Sequence, residues 1–137
     1  MVKFLMIDDN PLDHLIMQRM FDKFKLFPDA THSLDARESM DFISQNVESE
    51  VELPDVIFLD LSMPGFSGSD FLKDFKDLYK KIKKHIDIYI LSSSVEPNDQ
   101  MLSKKYSFVK AYIGKPIKME TLLSLHSTYL FHWQAAG

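Results

Sequence analysis

The chain has 137 residues, 45% of them hydrophobic, so we expect a single domain over residues 1–137 with a core at about 3–133. The net charge of -4 provides no basic surface for nucleic acid, and the absence of cysteine excludes disulfides and thiolate chemistry. The apolar N-terminal stretch ends at Asp8 and is too short for a signal sequence or a membrane span. We therefore expect a soluble, cytoplasmic protein.

The first predicted strand, Lys3–Ile7, is nearly all apolar, as is typical of a central parallel strand. Asn10 is suited to cap the helix that follows, and Pro11 is suited to its first turn. Apolar residues recur at helical spacing to about Lys25, which predicts an amphipathic helix whose apolar face is formed by Leu12, Leu15, Ile16, Met20 and Phe24.

A weaker second unit follows, with a short strand at about Ala30–Leu34 and a helix from Asp35 to about Gln45. The clearest strand of the chain is Asp55–Leu59, which ends at Asp60. After a loop over residues 63–68, helical spacing predicts one apolar face formed by Phe71, Leu72, Phe75, Leu78, Tyr79 and Ile82.

The fourth predicted strand is Ile86–Leu91, and a helix from Pro97 to about Ser107 comes after it. The fifth strand is Val109–Ile113, and the last helix runs from Lys118 to about Trp133. Strands that alternate with helices in this way predict an α/β fold with a five-stranded parallel sheet and helices on both faces. We expect the flavodoxin-like, doubly wound (βα)5 strand order 2-1-3-4-5.

Polar residues follow four of these strands directly: Asp8 and Asp9, Asp60, Ser92, and Lys115. Because the carboxyl ends of neighbouring parallel strands meet at one crevice, we expect these side chains to lie together. Carboxylates crowded in that way repel one another unless a hard cation with oxygen ligands lies among them. The sequence therefore predicts a magnesium-assisted phosphoryl acceptor.

The chain resembles a response regulator receiver domain, the CheY-like module of two-component signalling. The resemblance is carried by Asp8-Asp9, by the segment Asp-Leu-Ser-Met-Pro-Gly that begins at Asp60, by Ser92, and by Lys115-Pro116, and it extends over essentially the whole chain. It implies a phosphorelay in which a histidine kinase or phosphotransfer protein donates a phosphoryl group to Asp60. The resulting change would reach a face made by the predicted fourth helix, fifth strand and fifth helix. That face would bind a downstream protein target or, as a homodimer, a second copy.

The resemblance also assigns metal and nucleophile roles. Asp60 would be the nucleophile that forms an acyl phosphate. Asp9 would bind Mg²⁺ directly, Asp60 and the backbone carbonyl of Ser62 would complete the protein ligands, and Asp8 would act through water. The chain would catalyse only its own phosphorylation and dephosphorylation, so we do not expect a separate enzyme activity.

Further roles concern the response to the phosphoryl group. Lys115 would donate to a phosphoryl oxygen and, before phosphorylation, would pair with Asp60, while the Ser92 hydroxyl would donate to another oxygen. Tyr112 matches the family's aromatic switch position and would turn into space vacated by Ser92. Pro116 stands at the family's usual place for a cis peptide. Small side chains at Ser62 and Ser94 would leave the acyl phosphate open to hydrolysis.

Each of these residues also has an ordinary structural interpretation. The acidic pair could be a solvated turn that caps a helix, Asp60 another cap, Lys115 a surface lysine, Ser92 a loop residue and Tyr112 a core aromatic. The histidines show no metal-ligand spacing, so we expect surface or packing roles for His14, His32, His85, His126 and His132. Phe131 lies on the outer side of the last helix, where exposure is expected.

Three functional alternatives remain open at this stage. The last helix ends near the C-terminus, which favours a stand-alone receiver. The chain could instead be a receiver fragment of a longer regulator or hybrid kinase. A phosphatase or phosphotransferase on the same kind of sheet is the third alternative, although the chain has Asp8-Asp9-Asn10 in place of the Asp-x-Asp that dehalogenase-type phosphatases need.

Overall fold

Strands and helices alternate along the computed structural model, which describes residues 2–93 and 97–136, with side chains as far as residue 130. The strands are β1 (Phe4–Ile7), β2 (Thr31–Ser33), β3 (Val56–Asp60), β4 (Asp87–Ser92) and β5 (Val109–Gly114). The helices are α1 (Pro11–Phe24), α2 (Ala36–Gln45), α3 (Gly68–Tyr79), α4 (Pro97–Gln100), α5 (Leu102–Lys105) and α6 (Met119–Ala136). Among the described helices, none has the length and apolar character needed to cross a membrane.

The strands form one parallel sheet in the order β2-β1-β3-β4-β5, so the predicted flavodoxin-like fold class is confirmed. The pairing register brings the strand ends into line. Asp60 of β3 lies opposite Leu91, and Ser92 of β4 lies opposite Gly114. Residues that follow β1, β3, β4 and β5 therefore meet at one edge of the sheet.

Two hydrophobic clusters cover the two faces of the sheet. Side chains alternate along β3, so that Ile57 and Leu59 enter one cluster while Val56 and Phe58 enter the other. The first cluster contains the buried hydrophobic residues of α2 and α3, and the second contains those of α1 and α6. The buried, two-sided character of β1 and β3 explains why their sequences are apolar without alternation.

Helix α1 buries a different face from the one that its apolar spacing indicates. Leu12, Leu15 and Ile16 are 58%, 49% and 50% exposed, and Phe24 is exposed as well. The buried residues are instead His14, Met17 and Phe21. Apolar residues occupy two sides of this helix, so periodicity alone does not identify the inner one. Contact with the sheet decides it, because the Phe21 ring packs edge-on against Phe4 with centroids 5.0 Å apart.

Helix α3 begins at a close contact with the end of β3. Ser67 and Asp70 form a capping box, in which each side chain accepts a hydrogen bond from the backbone N–H of the other. A Cβ atom at Gly68 would lie 2.4 Å from the Asp60 carbonyl oxygen and 2.6 Å from Leu61 Cα, so only glycine fits there. The predicted inner face of α3 is confirmed, since Phe71, Leu72, Phe75 and Ile82 are buried; Ile82, however, lies beyond the end of the helix.

The predicted fourth helix, Pro97 to about Ser107, is wrong as one continuous element. The structure has two segments of four residues each, α4 and α5, and neither contains a buried residue. Helices this short are stabilised by packing of an apolar face rather than by propensity. Leu102 of α5 packs against the first hydrophobic cluster but is only partly buried, so this segment has a small apolar contact with which to stabilise a longer helix.

Candidate functional site

Three carboxylates converge at the carboxyl edge of the sheet. Asp60 is the last residue of β3 and is 5% exposed, Asp8 follows β1 and is 1% exposed, and Asp9 beside it is exposed. One oxygen from each lies within 4.8 Å of the other two. This acidic pocket has the oxygen donors that a hard divalent cation prefers.

The loop between β1 and α1 does not use both acids as helix caps. The Asn10 side chain caps α1 by accepting from the Leu12 N–H at 3.0 Å. Asp8 accepts from the Asn10 N–H at 2.9 Å through Oδ1, which leaves its other oxygen facing the pocket. A solvated turn that caps α1 therefore explains the roles of Asn10 and of one oxygen of Asp8, but it does not explain the position of Asp9.

Lys115 enters the pocket from the end of β5, where the Lys115–Pro116 peptide bond is cis. Its ammonium donates to Asp8 Oδ2 at 2.8 Å and to Asp13 Oδ2 at 2.9 Å. Asp60 Oδ1 is 3.6 Å away, within ion-pair distance but beyond a hydrogen bond. The expected pairing with Asp60 is therefore the longest of the three contacts.

Asp13 is the site residue that sequence reasoning missed. It lies in the first turn of α1, four residues after Asp9. Asp9 precedes the helix, whose N-cap is Asn10, so the available signal was only that Asp13 lies in the turn that follows the acidic pair. Burial opposes ionisation of Asp13, but the hydrogen bond from Lys115 holds the pKa of this carboxyl below its ordinary value.

The electrostatic balance of the pocket is unfavourable to the ionised form of Asp60. Burial, reinforced by the charges of Asp8 and Asp9, raises the pKa of Asp60 to about 6, against the opposing effects of Lys115 and of the Ser62 N–H, which donates to Oδ1 at 3.2 Å. Burial alone would lower the pKa of Lys115, but its hydrogen bonds to Asp8 and Asp13 raise it above the ordinary value. The pocket therefore holds a firmly charged ammonium and an excess of negative charge.

The two predicted switch residues lie on adjacent strands. Ser92 is 1% exposed at the end of β4, and its carbonyl accepts from the Lys115 N–H at 2.9 Å. Tyr112 is half-buried on β5 opposite Ile90, two residues along the strands from the Ser92–Gly114 pair and on the same face. Ser94 and the side chain of Phe131 lie outside the residues described.

His14 supports the floor of the pocket and is not a surface residue. It is buried, its Nε2 lies 2.7 Å from the Asp8 carbonyl oxygen, and its Nδ1 lies 2.7 Å from Nδ1 of His32 on β2. The packing role expected for His14 is therefore correct. Its contact with the backbone of a site residue could not be read from the sequence.

A recess of about 280 Å³ opens beside Asp9. It is lined by the first turn of α2 and by the loop after β3, where the Arg37 guanidinium lies 4.4 Å from the centre of the Phe66 ring. Cation–π contact of this kind fixes the arginine against the loop. The recess gives the acidic pocket open space on the side of its exposed carboxylate.

The chain is similar in sequence or in fold to several known proteins. The chain is 24% identical over 126 residues to the sensory/regulatory protein RpfC of Xanthomonas campestris pv. campestris, a match that covers 89% of this chain but 16% of RpfC. A two component response regulator from Cytophaga hutchinsonii has the same fold, with a TM-score of 0.81, 22% identity and coverage of 93% of this chain and 96% of that one. The chemotaxis protein CheY4 of Vibrio cholerae gives a TM-score of 0.68 at 23% identity, over 91% of this chain and 95% of that one.

The family model of the response regulator receiver domain matches residues 4–126. The match includes β1 through the first two turns of α6, and therefore every residue of the acidic pocket. The chain belongs to the response regulator receiver domain family, the CheY-like module of two-component signalling, with Asp8, Asp9 and Asp60 in its acidic pocket.

Proposed function

We propose that Asp60 accepts a phosphoryl group from the phosphohistidine of a histidine kinase or phosphotransfer protein. An Asp60 oxygen attacks phosphorus, the P–N bond breaks, and the imidazole leaves as the acyl phosphate forms. The observation that carries this proposal is the position of Asp60, nearly buried at a strand end between two further carboxylates and an ammonium. A carboxylate in that environment is poorly compensated, as reactive groups often are.

We also propose that Mg²⁺ assists this reaction. Asp9 and Asp60 would bind it directly together with the backbone carbonyl of Ser62, and Asp8 would contribute through water. The close approach of the three carboxylates supports a cation here, and so does the raised pKa of Asp60, which burial causes and the charges of Asp8 and Asp9 reinforce. When bound, the ion offsets the charge that develops on the transferring group.

The remaining roles concern recognition of the phosphoryl group. Lys115 would donate to one of its oxygens and Ser92 to another, and Tyr112 would turn toward Ser92 in the phosphorylated state. The location of Ser92 and Lys115 at the ends of adjacent paired strands supports this arrangement. The output face would comprise α4, α5, β5 and α6, which would bind a downstream protein target or a second copy.

The exposed apolar face of α1 supports docking of the phosphodonor beside the pocket. Leu12, Leu15 and Ile16 begin three residues after Asp9 and lie outside both hydrophobic clusters. A donor that brings its histidine within bonding distance of Asp60 also covers the surface around the pocket. An apolar contact there would hold the two proteins together while the phosphoryl group transfers.

We place this reaction in the cytoplasm, in a domain that acts alone or within a longer regulator.

The proposal is tested by incubating the protein with Mg²⁺ and a small phosphodonor, and separately with beryllofluoride, and by measuring intact mass and bound beryllium. We expect one group per chain in the wild type and none in Asp60→Asn. Asp87→Asn is the matched control, because it changes a buried acid at the opposite edge of the same sheet and should keep the reaction. A wild type that gains no group refutes the proposal, and a label that survives Asp60→Asn misplaces the acceptor.

A further inference from the structure

We propose that Asp13 is a positioning residue that holds the Lys115 ammonium away from Asp60 until a phosphoryl group arrives, and thereby lowers the affinity of the acceptor site for that group. The inference rests on the proposed function, because it concerns the lysine that would contact the phosphoryl group. It assigns a role to a residue of α1 that lies outside the three-carboxylate pocket.

The geometry of the ammonium carries the first step. A lysine ammonium has three N–H donors, and two of them are directed to Asp8 and Asp13 at 2.8 Å and 2.9 Å. Asp60 Oδ1, at 3.6 Å, lies beyond hydrogen-bond distance. One N–H donor remains, but the two short contacts hold the ammonium 3.6 Å from Asp60, so a closer approach to a phosphoryl oxygen there requires Lys115 to turn away from one of its present partners.

Burial decides which partner is released. The Asp8 side chain is 1% exposed, so loss of its donor would leave a charge that water cannot reach. The Asp13 side chain is 29% exposed, so water can replace the lysine there at small cost. In the metal-free protein the Asp13 contact is therefore the one that breaks, and the free energy of that contact weakens the interaction of Lys115 with the phosphoryl group.

A cation in the acidic pocket would leave the Asp13 contact intact. The metal-ligand cluster consists of Asp8, Asp9 and Asp60, and Asp13 is not among them. An ion bound by that cluster would offset the charge of Asp8, while the charge of Asp13 would still attract Lys115. Once the ion compensates Asp8, the ion pair with Asp13 at 2.9 Å is the contact that still draws the ammonium away from Asp60, so Asp13 competes with the phosphoryl group for the lysine in the metal-bound protein as well.

A simpler role for Asp13 makes a different prediction. An acid in the first turn of a helix interacts favourably with the helix dipole, and that effect does not involve Lys115. A negative charge near the acceptor would also repel any anion, again without the lysine. The holding role alone requires that the effect of Asp13 disappear when Lys115 is removed.

The test measures beryllofluoride affinity in the presence of Mg²⁺. Asp13→Asn keeps the shape of the side chain and removes its charge, so we expect affinity to rise about threefold, as loss of a partly exposed ion pair implies. Asp22→Asn, an exposed acid further along the same helix, is the matched control and should leave affinity unchanged. An unchanged or weaker affinity in Asp13→Asn overturns the proposal.

The double-mutant cycle with Lys115→Met separates the mechanisms. If Asp13 acts through the lysine, Asp13→Asn has no further effect on beryllofluoride affinity in the Lys115→Met background. An equal rise in both backgrounds means that Asp13 acts by general repulsion, and the holding role is then wrong.

A second measurement works without metal or beryllofluoride and covers the case in which Lys115→Met binds too weakly to follow. In the metal-free protein, the ion-paired Lys115 ammonium should give a slowly exchanging NMR signal, and Asp13→Asn should accelerate that exchange. Exchange that does not change contradicts the contact. A wild type that binds no beryllofluoride but shows the protected ammonium would refute the proposed function while leaving the Asp13–Lys115 contact in place.

Discussion

Carboxylates lie at both edges of the sheet, but their surroundings differ. At the amino edge, Asp55 accepts from the Lys3 N–H at 2.7 Å and pairs with the Lys84 ammonium at 3.3 Å. Asp87, at the start of β4, accepts from the Tyr129 hydroxyl at 2.6 Å and from His85 Nε2 at 2.7 Å. Each of these acids has two close partners, so its charge is well compensated.

At the carboxyl edge, Asp60 is about as buried as Asp87 but has weaker compensation. It accepts one backbone hydrogen bond at 3.2 Å from Ser62, its ammonium partner is at 3.6 Å, and two more carboxylates lie beside it. Asp55 and Asp87 therefore stabilise the amino edge of the sheet, whereas ionised Asp60 destabilises the carboxyl edge. This uncompensated charge marks the edge where we propose that Mg²⁺ supplies the missing partner.

The largest expected effect is that Asp60→Asn and Asp87→Asn change the free energy of unfolding in opposite directions. The pKa of Asp60 in the fold is about 6, above its ordinary 3.8, so ionisation destabilises the metal-free protein as pH rises through that window. Asp60→Asn should raise the free energy of unfolding by about 3 kcal/mol near pH 8, and the gain should vanish below about pH 4.

Asp87→Asn should instead lower that free energy by about 2 kcal/mol, because it weakens hydrogen bonds to a charged group. Urea denaturation of the two variants and the wild type at several pH values measures both effects. Destabilisation by Asp60→Asn near pH 8 would contradict the view that this edge is under-compensated.

Added Mg²⁺ should stabilise the fold through the carboxyl edge alone. At a concentration about one hundred times its Kd, an ion that binds only the folded state raises the free energy of unfolding by about 2.7 kcal/mol. Asp9→Asn should reduce this gain, and Asp87→Asn should keep it. Thermal unfolding with increasing Mg²⁺ provides the measurement, and equal responses from these two variants would place the ion elsewhere.

Gly68→Ala tests the contact that fixes the position of Asp60. The added Cβ would overlap the backbone of residues 60 and 61, so we expect destabilisation of about 2 kcal/mol and weaker Mg²⁺ binding. Gly114→Ala is the matched control, since a Cβ there has nothing within 4 Å. Denaturation and Mg²⁺ titration of both variants measure these effects. A Gly68→Ala protein as stable as Gly114→Ala would show that the backbone at residues 60 and 61 can move to accommodate the added Cβ.

Tyr129→Phe should have the smallest effect. It removes the hydroxyl that donates to Asp87 and lies 2.9 Å from the Tyr89 hydroxyl, at a cost of about 1 kcal/mol in the free energy of unfolding. Mg²⁺ affinity should not change, because this network lies at the opposite edge of the sheet. Altered Mg²⁺ binding would mean that the two edges are coupled.

The sequence predicted the sheet and the acidic pocket because both depend on local pattern. Apolar runs marked β1 and β3, and the polar residue after each run marked the edge where Asp60 and Lys115 meet. The parallel sheet followed from the alternation of strand and helix, and the strand order is the one expected for a flavodoxin-like fold. These features need no knowledge of side-chain contacts between distant segments.

The errors arose where tertiary contacts decide between equivalent local patterns. Helix α1 has apolar residues on two sides, and only packing of Phe21 on Phe4 selects the inner one. Lys115 had several acids within reach, and the first turn of α1 brought Asp13 closer than Asp60. Gly68 lies in a segment that the sequence predicts to be a loop, where glycine is common. Its presence there therefore did not indicate the close contact with the end of β3.

The absence of a side chain at Gly68 has a mechanical consequence. The start of α3 and the carbonyl of Asp60 meet as backbone against backbone, with no flexible group between them to absorb a displacement. Closely packed backbone is nearly incompressible, so a shift of a few tenths of an ångström at Asp60 moves the first turn of α3 by a similar amount. A rigid α3 would carry such a shift from the Asp60 carbonyl to Tyr79, at the other edge of the sheet.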